Sequence, residues 1–450
     1  MDHVETNLRF ARLAYKGAEG SWYALDNAAC IMPAVAGGAA SSLFRLSATL
    51  DTPVKLPALE EALERTLRRF PYFVTELRPG LFWHYLEPAT RRPRVVADAR
   101  SPCQDFDMHR RGTCLFRVRA RERTIACEFA HVISDGTGGI RFLKKLLVEY
   151  FRVLGVEPVT PEARAADPDL AALDEPPHPE ECEDAYNRHF PWNYPYPAPE
   201  GRAFHIECPL LPLGDYRVIV GILPLKPTIA LAKSFGVSLT DFLIAVYMDA
   251  LQEMYFAAPA RIRRARPRIA IEVPVNMRQF YETRTNRNFS LFVHAEEDPR
   301  LGRRALGELA KRVHHQLRRD IDKASMARHI ARNVSGGRLL PLRATPLPVK
   351  MPIMRFLFSI YGENKISGVF SNLGSVVLPE AVARRVERLD LVHAPSPTLK
   401  TKIAIMSWRD TLHLSFGSLG TSRELERLYL TRLRRLGLPV KVECNLSEDS

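Results

Sequence analysis

An α/β protein built in two lobes is the fold class this sequence predicts, and three observations predict it. The chain has 450 residues, more than one hydrophobic core ordinarily serves. Both halves mix segments of period two with segments of period 3.6, which points to layers of sheet and helix rather than a bundle. Between the halves, residues 156–214 are dense in proline and acidic side chains, a composition that cannot hold regular structure for long. The expected organisation is a first lobe over 1–155, a linker over 156–214 and a second lobe over 215–450. Each lobe is expected to be a mixed sheet with packed helices, the two facing each other across a central channel.

In the first lobe, Phe44–Leu50 reads as a strand and Leu56–Phe70 as an amphipathic helix, with Leu59, Leu63 and Leu67 spaced by four. Leu81–Glu87 reads as a strand after the Pro79-Gly80 turn. Leu115–Ala120 and Thr124–His131 form a hairpin across Arg121-Glu122-Arg123. In its second strand, Ile125, Cys127, Phe129 and His131 share one face. Gly136, Gly138 and Gly139 then suit a tight turn, and Ile140, Leu143, Leu147 and Phe151 make a helical stripe. His131 therefore sits where an apolar strand runs out, and Asp135 in the turn before a helix. In the linker, Trp192, Tyr194 and Tyr196 are expected to pin the chain by packing.

The second lobe opens on a strand, Tyr216–Leu225, followed by helices Thr228–Ser234 and Ser238–Tyr255, the latter capped by Ser238 or Thr240. Arg268–Val273 and Phe289–Ala295 read as strands, and Arg300–Ile321 as a long helix. Its His314-His315 pair has no Cys or Asp near it in sequence and is expected at the surface. Val349–Tyr361 is strongly apolar and predicts a buried helix. Lys402–Trp408 and Thr411–Gly417 form a hairpin across Arg409-Asp410, and Arg423–Leu436 closes the chain as an amphipathic helix.

Bulk properties exclude several classes. The start, MDHVETNLRF, lacks the basic-then-apolar pattern of a signal sequence. No run of about 18 apolar residues exists, since Asp241, Asp249 and Glu253 interrupt the richest helix; a soluble protein is expected. Seven scattered cysteines, an odd number without a Cys-x-x-Cys pair, argue against a disulfide framework or structural zinc and fit a reducing cytoplasm. Cys127 reads as a small buried hydrophobe. The net charge of +13 includes a cluster at Arg261, Arg263, Arg264, Arg266 and Arg268. That cluster reads either as a solvated loop or as a patch for an anionic partner. No helix-turn-helix, zinc finger or RNP-type strand accompanies the charge, so nucleic acid is not expected. Gly-x-Ser-x-Gly, Walker and Gly-x-Gly-x-x-Gly motifs are absent, which leaves covalent hydrolysis, NTP use and dinucleotide binding without support.

The segment His131-Val132-Ile133-Ser134-Asp135-Gly136, in its strand–turn–helix setting, resembles the active-site motif of the HxxxD acyltransferase superfamily. That superfamily includes chloramphenicol acetyltransferase, the plant BAHD enzymes, polyketide-associated acyltransferases, alcohol acetyltransferases and nonribosomal-peptide condensation domains. Pro274-Val275-Asn276-Met277-Arg278 is similar to the family's Pro-Val-Asn-x-Arg segment, and Ser371-Asn372-Leu373-Gly374 to the loop crossing the channel floor. The order and separation of these segments extend the resemblance over nearly the whole chain, toward the bacterial alcohol-acetyltransferase-like and polyketide-associated branch. Two features differ from other branches: Ala130 precedes His131 where condensation domains carry a second histidine, and the plant enzymes' Asp-Phe-Gly-Trp-Gly is absent.

A lone histidine on an apolar face is ordinarily a satisfied core residue; here the Asp-Gly turn and the helix behind it favour catalysis. His-x-x-x-Asp lacks the Glu of a His-Glu-x-x-His helix, so no metal is expected. The resemblance implies that His131 is a general base, that Asp135 pairs with Arg278 rather than relaying protons, and that Gly136 allows a close backbone approach. Asn276 is expected to support the site, and Ser371, Asn372 and Gly374 to line the channel floor. The implied activity moves an acyl group from a thioester, acyl-CoA above all, to an alcohol or amine acceptor, with no cofactor and a monomeric chain. Arg261, Arg263 and Arg264 are then candidates for donor binding, and Val349–Tyr361 has a second reading as a lining for a long acyl chain. Two alternatives stay open: a condensation-type enzyme whose donor rides on a separate acidic carrier protein, and a non-catalytic acyl- or lipid-binding protein of the same fold.

Overall fold

The computed structural model describes residues 22–37, 40–157, 174–191, 194–197 and 200–446. Residues 1–21, residues 158–173 of the acidic linker and Trp192 lie outside them. In chain order the first strands are β1 (Tyr23–Ala24), β2 (Leu43–Leu50), β3 (Thr75–Pro79), β4 (His84–Pro88), β5 (Val95–Ala97), β6 (Phe116–Arg121) and β7 (Thr124–Ala130). They are followed by β8 (Arg217–Pro224), β9 (Ile269–Asn276), β10 (Ser290–Glu297), β11 (Gly368–Ser375), β12 (Val386–Val392), β13 (Thr401–Trp408), β14 (Thr411–Ser418) and β15 (Lys441–Cys444). The longer helices are α1 (Leu56–Arg69), α2 (Gly136–Val153), α3 (Leu225–Ser234), α4 (Leu239–Ala257), α5 (Leu306–Asp320), α6 (Lys323–Arg338), α7 (Leu347–Tyr361) and α8 (Glu424–Arg435).

The architecture is mixed α/β in two lobes. The first lobe is a five-stranded sheet of order β12-β2-β7-β6-β5. Helices α1 and α2 pack together, and α2 lies against β2 and β7. Phe44, Phe73, Phe116, Phe129 and Phe142 meet at the centre of this core, with Phe73 and Phe142 ring centroids 5.2 Å apart. The second lobe is a seven-stranded sheet of order β10-β9-β11-β13-β14-β8-β15. One face of that sheet (Ile403, Ile405, Leu412, Leu414 and Phe416) packs under α4 and α8. The other face (Val218, Val220, Ala404, Met406 and Trp408) joins the first lobe's core. A sheet covered on both sides buries residues of both faces, which explains the unbroken apolar run Ile403–Met406 of β13, whereas β14 alternates and buries His413 and Ser415 on its second face. A small sheet, β1-β4-β3, flanks the first lobe.

Several expectations need correction. Strand β12 falls within 215–450 but pairs antiparallel with β2 of the first lobe, Leu391 opposite Leu46. Its Leu389 and Leu391 complete the first core, so a boundary drawn along the chain cannot separate the lobes. Residues 371–374 are part of β11 rather than a free loop, with a register break between Asn372 and Ser375 where Gly374 adopts φ +73°. Helix α5 starts only at Leu306, because a one-turn helix at Pro299–Leu301 and Gly302 at φ +106° break the expected run. His314 is not a bare surface residue, since its Nδ1 lies 2.8 Å from Asp241 Oδ2. Tyr194 and Tyr196 are exposed, and that stretch is held instead by Arg328, which donates to the carbonyls of Pro195 and Tyr196. Helix α7 is no core helix: of its side chains only Leu347, Lys350 and Met354 are buried.

Ser238 caps α4, forming a reciprocal capping box with Asp241. Among the described residues no single helix is long and apolar enough to cross a membrane; α3 and α4 pass that test only as a pair bent by 78°.

Candidate active site

The candidate base is positioned by three elements. β7 ends at Ala130, and the His131 amide donates to the Ser42 carbonyl at 2.9 Å, continuing the ladder with the start of β2. Asn288 Nδ2 donates to the His131 carbonyl at 2.7 Å from the other lobe. The imidazole packs on Phe44, ring centroids 4.6 Å apart. His131 is half-buried, on a strand end held rigidly by these contacts. Burial holds the imidazole below the usual histidine range. Asp135 and Asn288 pull the other way, and Lys402 acts with burial. A neutral ring at neutral pH follows.

Asp135 is held between the start of α2 and the second lobe. It caps α2, accepting from the Thr137 and Gly138 amides at 3.1 Å each. It meets Arg278 through Nη1 at 2.9 Å and Nη2 at 3.3 Å, and also accepts from the Phe289 amide at 2.9 Å and Ser290 Oγ at 3.1 Å. Burial alone would raise this carboxyl, but the Arg278 charge and these hydrogen bonds hold it below the carboxylate range. Arg278 is fixed in turn by the carbonyls of Thr285 and Arg287 and by Asn276 Oδ1 at 3.2 Å. Arg278 sits just past the end of β9 and Asp135 just past β7, so the pair ties the lobes together behind His131.

The glycines have separate tasks. A Cβ on Gly138 would lie 2.1 Å from the Asn286 carbonyl oxygen and 2.2 Å from Ser134 Oγ, so here the turn and the other lobe's backbone touch. A Cβ on Gly136 would meet Leu373 at 2.8 Å. That contact brings the Ser371–Gly374 segment against the motif turn. Asn372 itself turns outward, donating to Thr240 Oγ1 at 2.9 Å and accepting from the Gly374 amide at 2.7 Å. Ser371 is buried.

Arg261, Arg263 and Arg264 are not brought to His131. They lie on a short helix, Ala260–Ala265, before β9, whereas Asn276 and Arg278 lie past its far end, roughly 23 Å of strand away. Arg266 and Arg268 of the same cluster are bound internally, to the Ala203 carbonyl and Asn364 and to the Gly201 and Lys365 carbonyls.

Sequence reasoning missed a layer of polar residues around the base. Thr285, Asn286, Arg287 and Asn288 read as an ordinary polar loop, yet all four are buried. Ser134 Oγ donates to the Asn286 carbonyl at 2.7 Å, and Asn288 Nδ2 also reaches Asp26 Oδ2 at 3.0 Å. Burial pushes the Asp26 carboxyl up, against the pull of Arg287, whose Nε lies 3.5 Å away. Such a polar run immediately before an apolar strand was the available signal. On the opposite wall, Lys402 shares a face of β13 with Ala404, Met406 and Trp408, and its Nζ lies 3.2 Å from Glu363 Oε1. His393 is a second imidazole there, held down to about 3 by burial and by the charges of Lys402 and His131. Beyond Glu363 a cavity of about 310 Å³ is lined by His205, Arg266, Thr398 and Lys400; His205 Nε2 contacts the Glu363 carbonyl at 3.1 Å.

One cluster has metal-like spacing: ligand atoms of Glu200, His294 and Glu296 lie within 4.8 Å of one another. Its charges are already matched. Arg268 contacts both carboxylates, and although burial opposes it, hydrogen bonds to Glu200 and Glu272 raise the His294 pKa to about 9. It reads as an ion-pair network on the face of the second sheet.

No protein-family model matches the sequence, and no curated protein matches it. Solved structures do match. TRI101 of F. sporotrichioides, solved with coenzyme A and T-2, is 13% identical with a TM-score of 0.58, over 94% of this chain and 99% of that one. Polyketide synthase associated protein 5 from Mycobacterium tuberculosis is 15% identical with a TM-score of 0.50, over 87% and 93%. The EpoB NRPS cyclization-docking bidomain from Sorangium cellulosum is 14% identical with a TM-score of 0.52, over 97% and 90%. At such identities the likeness is one of fold: the chain shares the α/β fold of these three structures over nearly its whole length.

Proposed function

We propose that the protein is an acyltransferase that moves an acyl group from a thioester, an acyl-CoA, to a hydroxyl or amine, with His131 as general base. The observation that carries this reading is a neutral, half-buried imidazole on a rigid strand end, with the neighbouring carboxylate locked on Arg278. Asp135 so placed acts as a positioning residue and takes no proton from the ring. The fold shared with acetyltransferases and condensation-type domains supports the same reading.

In this mechanism His131 removes the proton from the acceptor as its oxygen or nitrogen attacks the thioester carbonyl. The tetrahedral intermediate collapses with cleavage of the C–S bond, and the imidazolium returns the proton to the departing thiolate. A thiol pKa of about 8.5 makes that leaving group undemanding. Arg266 and Lys400, in the cavity beyond Glu363, supply basic lining for an anionic donor; Arg261, Arg263 and Arg264 form an outer patch.

The test is mass spectrometry of small-molecule extracts incubated with the protein and acetyl-, medium- or long-chain acyl-CoA. New acylated products and free CoA are expected. Products formed only when the donor is carried on an acyl carrier protein would move the reading to a condensation-type enzyme.

A further inference from the structure

The helices between β10 and β11 carry a charge pattern unlike the rest of the chain. From Lys323 to Gly362 there is no aspartate or glutamate, while Lys323, Arg328, Arg332, Arg338, Arg343, Lys350 and Arg355 are basic. These 40 residues thus hold seven of the thirteen net positive charges. The same segment exposes its largest apolar side chains. On α7, Val349 is 55% exposed, Ile353 43%, Phe356 64%, Leu357 42% and Ile360 42%. Their spacing of four, three, one and three places them on one helical face. Leu339 and Leu340, at 60% and 77%, extend the apolar surface along the chain.

This face is firmly mounted. The Leu347 amide donates to the Leu81 carbonyl at 2.8 Å, and Lys350 Nζ to the Phe82 carbonyl at 2.7 Å while sitting 3.5 Å from the Trp83 ring centroid. Leu81 and Phe82, themselves exposed, widen the patch. On the underside Arg355 Nε donates to the Ala34 carbonyl at 2.8 Å. The helix then ends at Gly362, one residue before Glu363, the partner of Lys402 beside His131.

We propose that this face is a docking surface for an anionic phospholipid bilayer. In that arrangement α7 lies in the interfacial plane, its apolar side chains at the boundary of the acyl chains and the exposed Arg343 and Arg355 among the headgroups. Charge decides the occupant. A second copy of this chain on the same face would oppose the exposed arginines of two acid-free segments, which repel. A negatively charged lipid surface complements both the charge and the apolar stripe. The proposal stands on the exposed helix and does not depend on the acyl-transfer reading.

The experiment is flotation of the full chain with phosphatidylcholine vesicles, with and without phosphatidylserine. Binding to the phosphatidylserine vesicles, weakened by salt, is expected. The triple variant Ile353→Ser, Phe356→Ser, Leu357→Ser should bind more than about tenfold less. Arg343→Ser should lose about fivefold, the worth of one basic residue at an anionic surface. Wild-type melting curves for both variants show that the fold is kept. Failure of the wild-type chain to float with phosphatidylserine vesicles overturns the proposal. So does wild-type binding by the triple variant. A dimer by light scattering that the triple variant turns into a monomer would assign the face to a second copy and also overturn it.

Discussion

Asp135 and Arg278 offer the sharpest test of how the two lobes are joined. Their side chains are 6% and 7% exposed, so removing either partner leaves the other largely out of water. Breaking a buried pair costs about 3–5 kcal/mol. Arg278→Ala leaves Asp135 with four other donors, from Thr137, Gly138, Phe289 and Ser290, and belongs at the lower end, about 3 kcal/mol. Asp135→Ala does more. It also removes the α2 cap, worth about 1 kcal/mol, and strands the buried Phe289 amide, so a loss of roughly 5 kcal/mol is expected. If the residues interact directly, the double variant should lose about 2 kcal/mol less than the two singles summed. Urea unfolding at neutral pH, where Asp135 is ionised, followed by circular dichroism, measures all four corners of this cycle. Activity should fall with each single substitution, because the turn that carries His131 loses its anchor. Losses that add to within about 0.5 kcal/mol would refute the link.

Three further outcomes are expected. Gly138→Ala should destabilise strongly and abolish activity, because its Cβ would stand 2.1 Å from the Asn286 carbonyl oxygen; a wild-type melting temperature would contradict the close approach of the lobes. The acid limb of kcat/KM should lie below the ordinary histidine value of about 6.5, since burial lowers the His131 pKa and a base works only when deprotonated; a limb above that value would mean that another group titrates. Arg266→Ala or Lys400→Ala should raise the KM for acyl-CoA more than replacing Arg261 and Arg264, which are exposed and distant; the opposite order would restore the outer patch as the donor site.

What the sequence disclosed was what local pattern encodes. Period-two and period-3.6 segments located β7, α2, β13 and β14 to within a residue or so, or a few residues at the start of α2, and the motif turn located His131 and Asp135. The pairing of Arg278 with Asp135 was legible only through family resemblance. Three things were hidden, for physical reasons. Strand β12 joins the first lobe because the edge of β2 needed a partner, and no local pattern records which edge is free. The 285–288 run resembles a solvated loop because burial of polar groups depends on partners supplied from elsewhere, here Asp26, Glu183 and Ser134. Helix α7 looks like core by composition, yet its large apolar side chains stay exposed, because whether an apolar face is covered depends on elements supplied from elsewhere in the chain.

The central claim is that the His131 imidazole is the base, and one substitution addresses it most directly. Wild-type protein and His131→Ala should be compared for single-turnover release of CoA in the presence of the acceptor that the product screen identifies. The account predicts an unchanged unfolding curve and a rate lower by about 10²–10⁴-fold, the usual worth of a positioned base. A correctly folded His131→Ala protein that transfers acyl groups at the wild-type rate would contradict it.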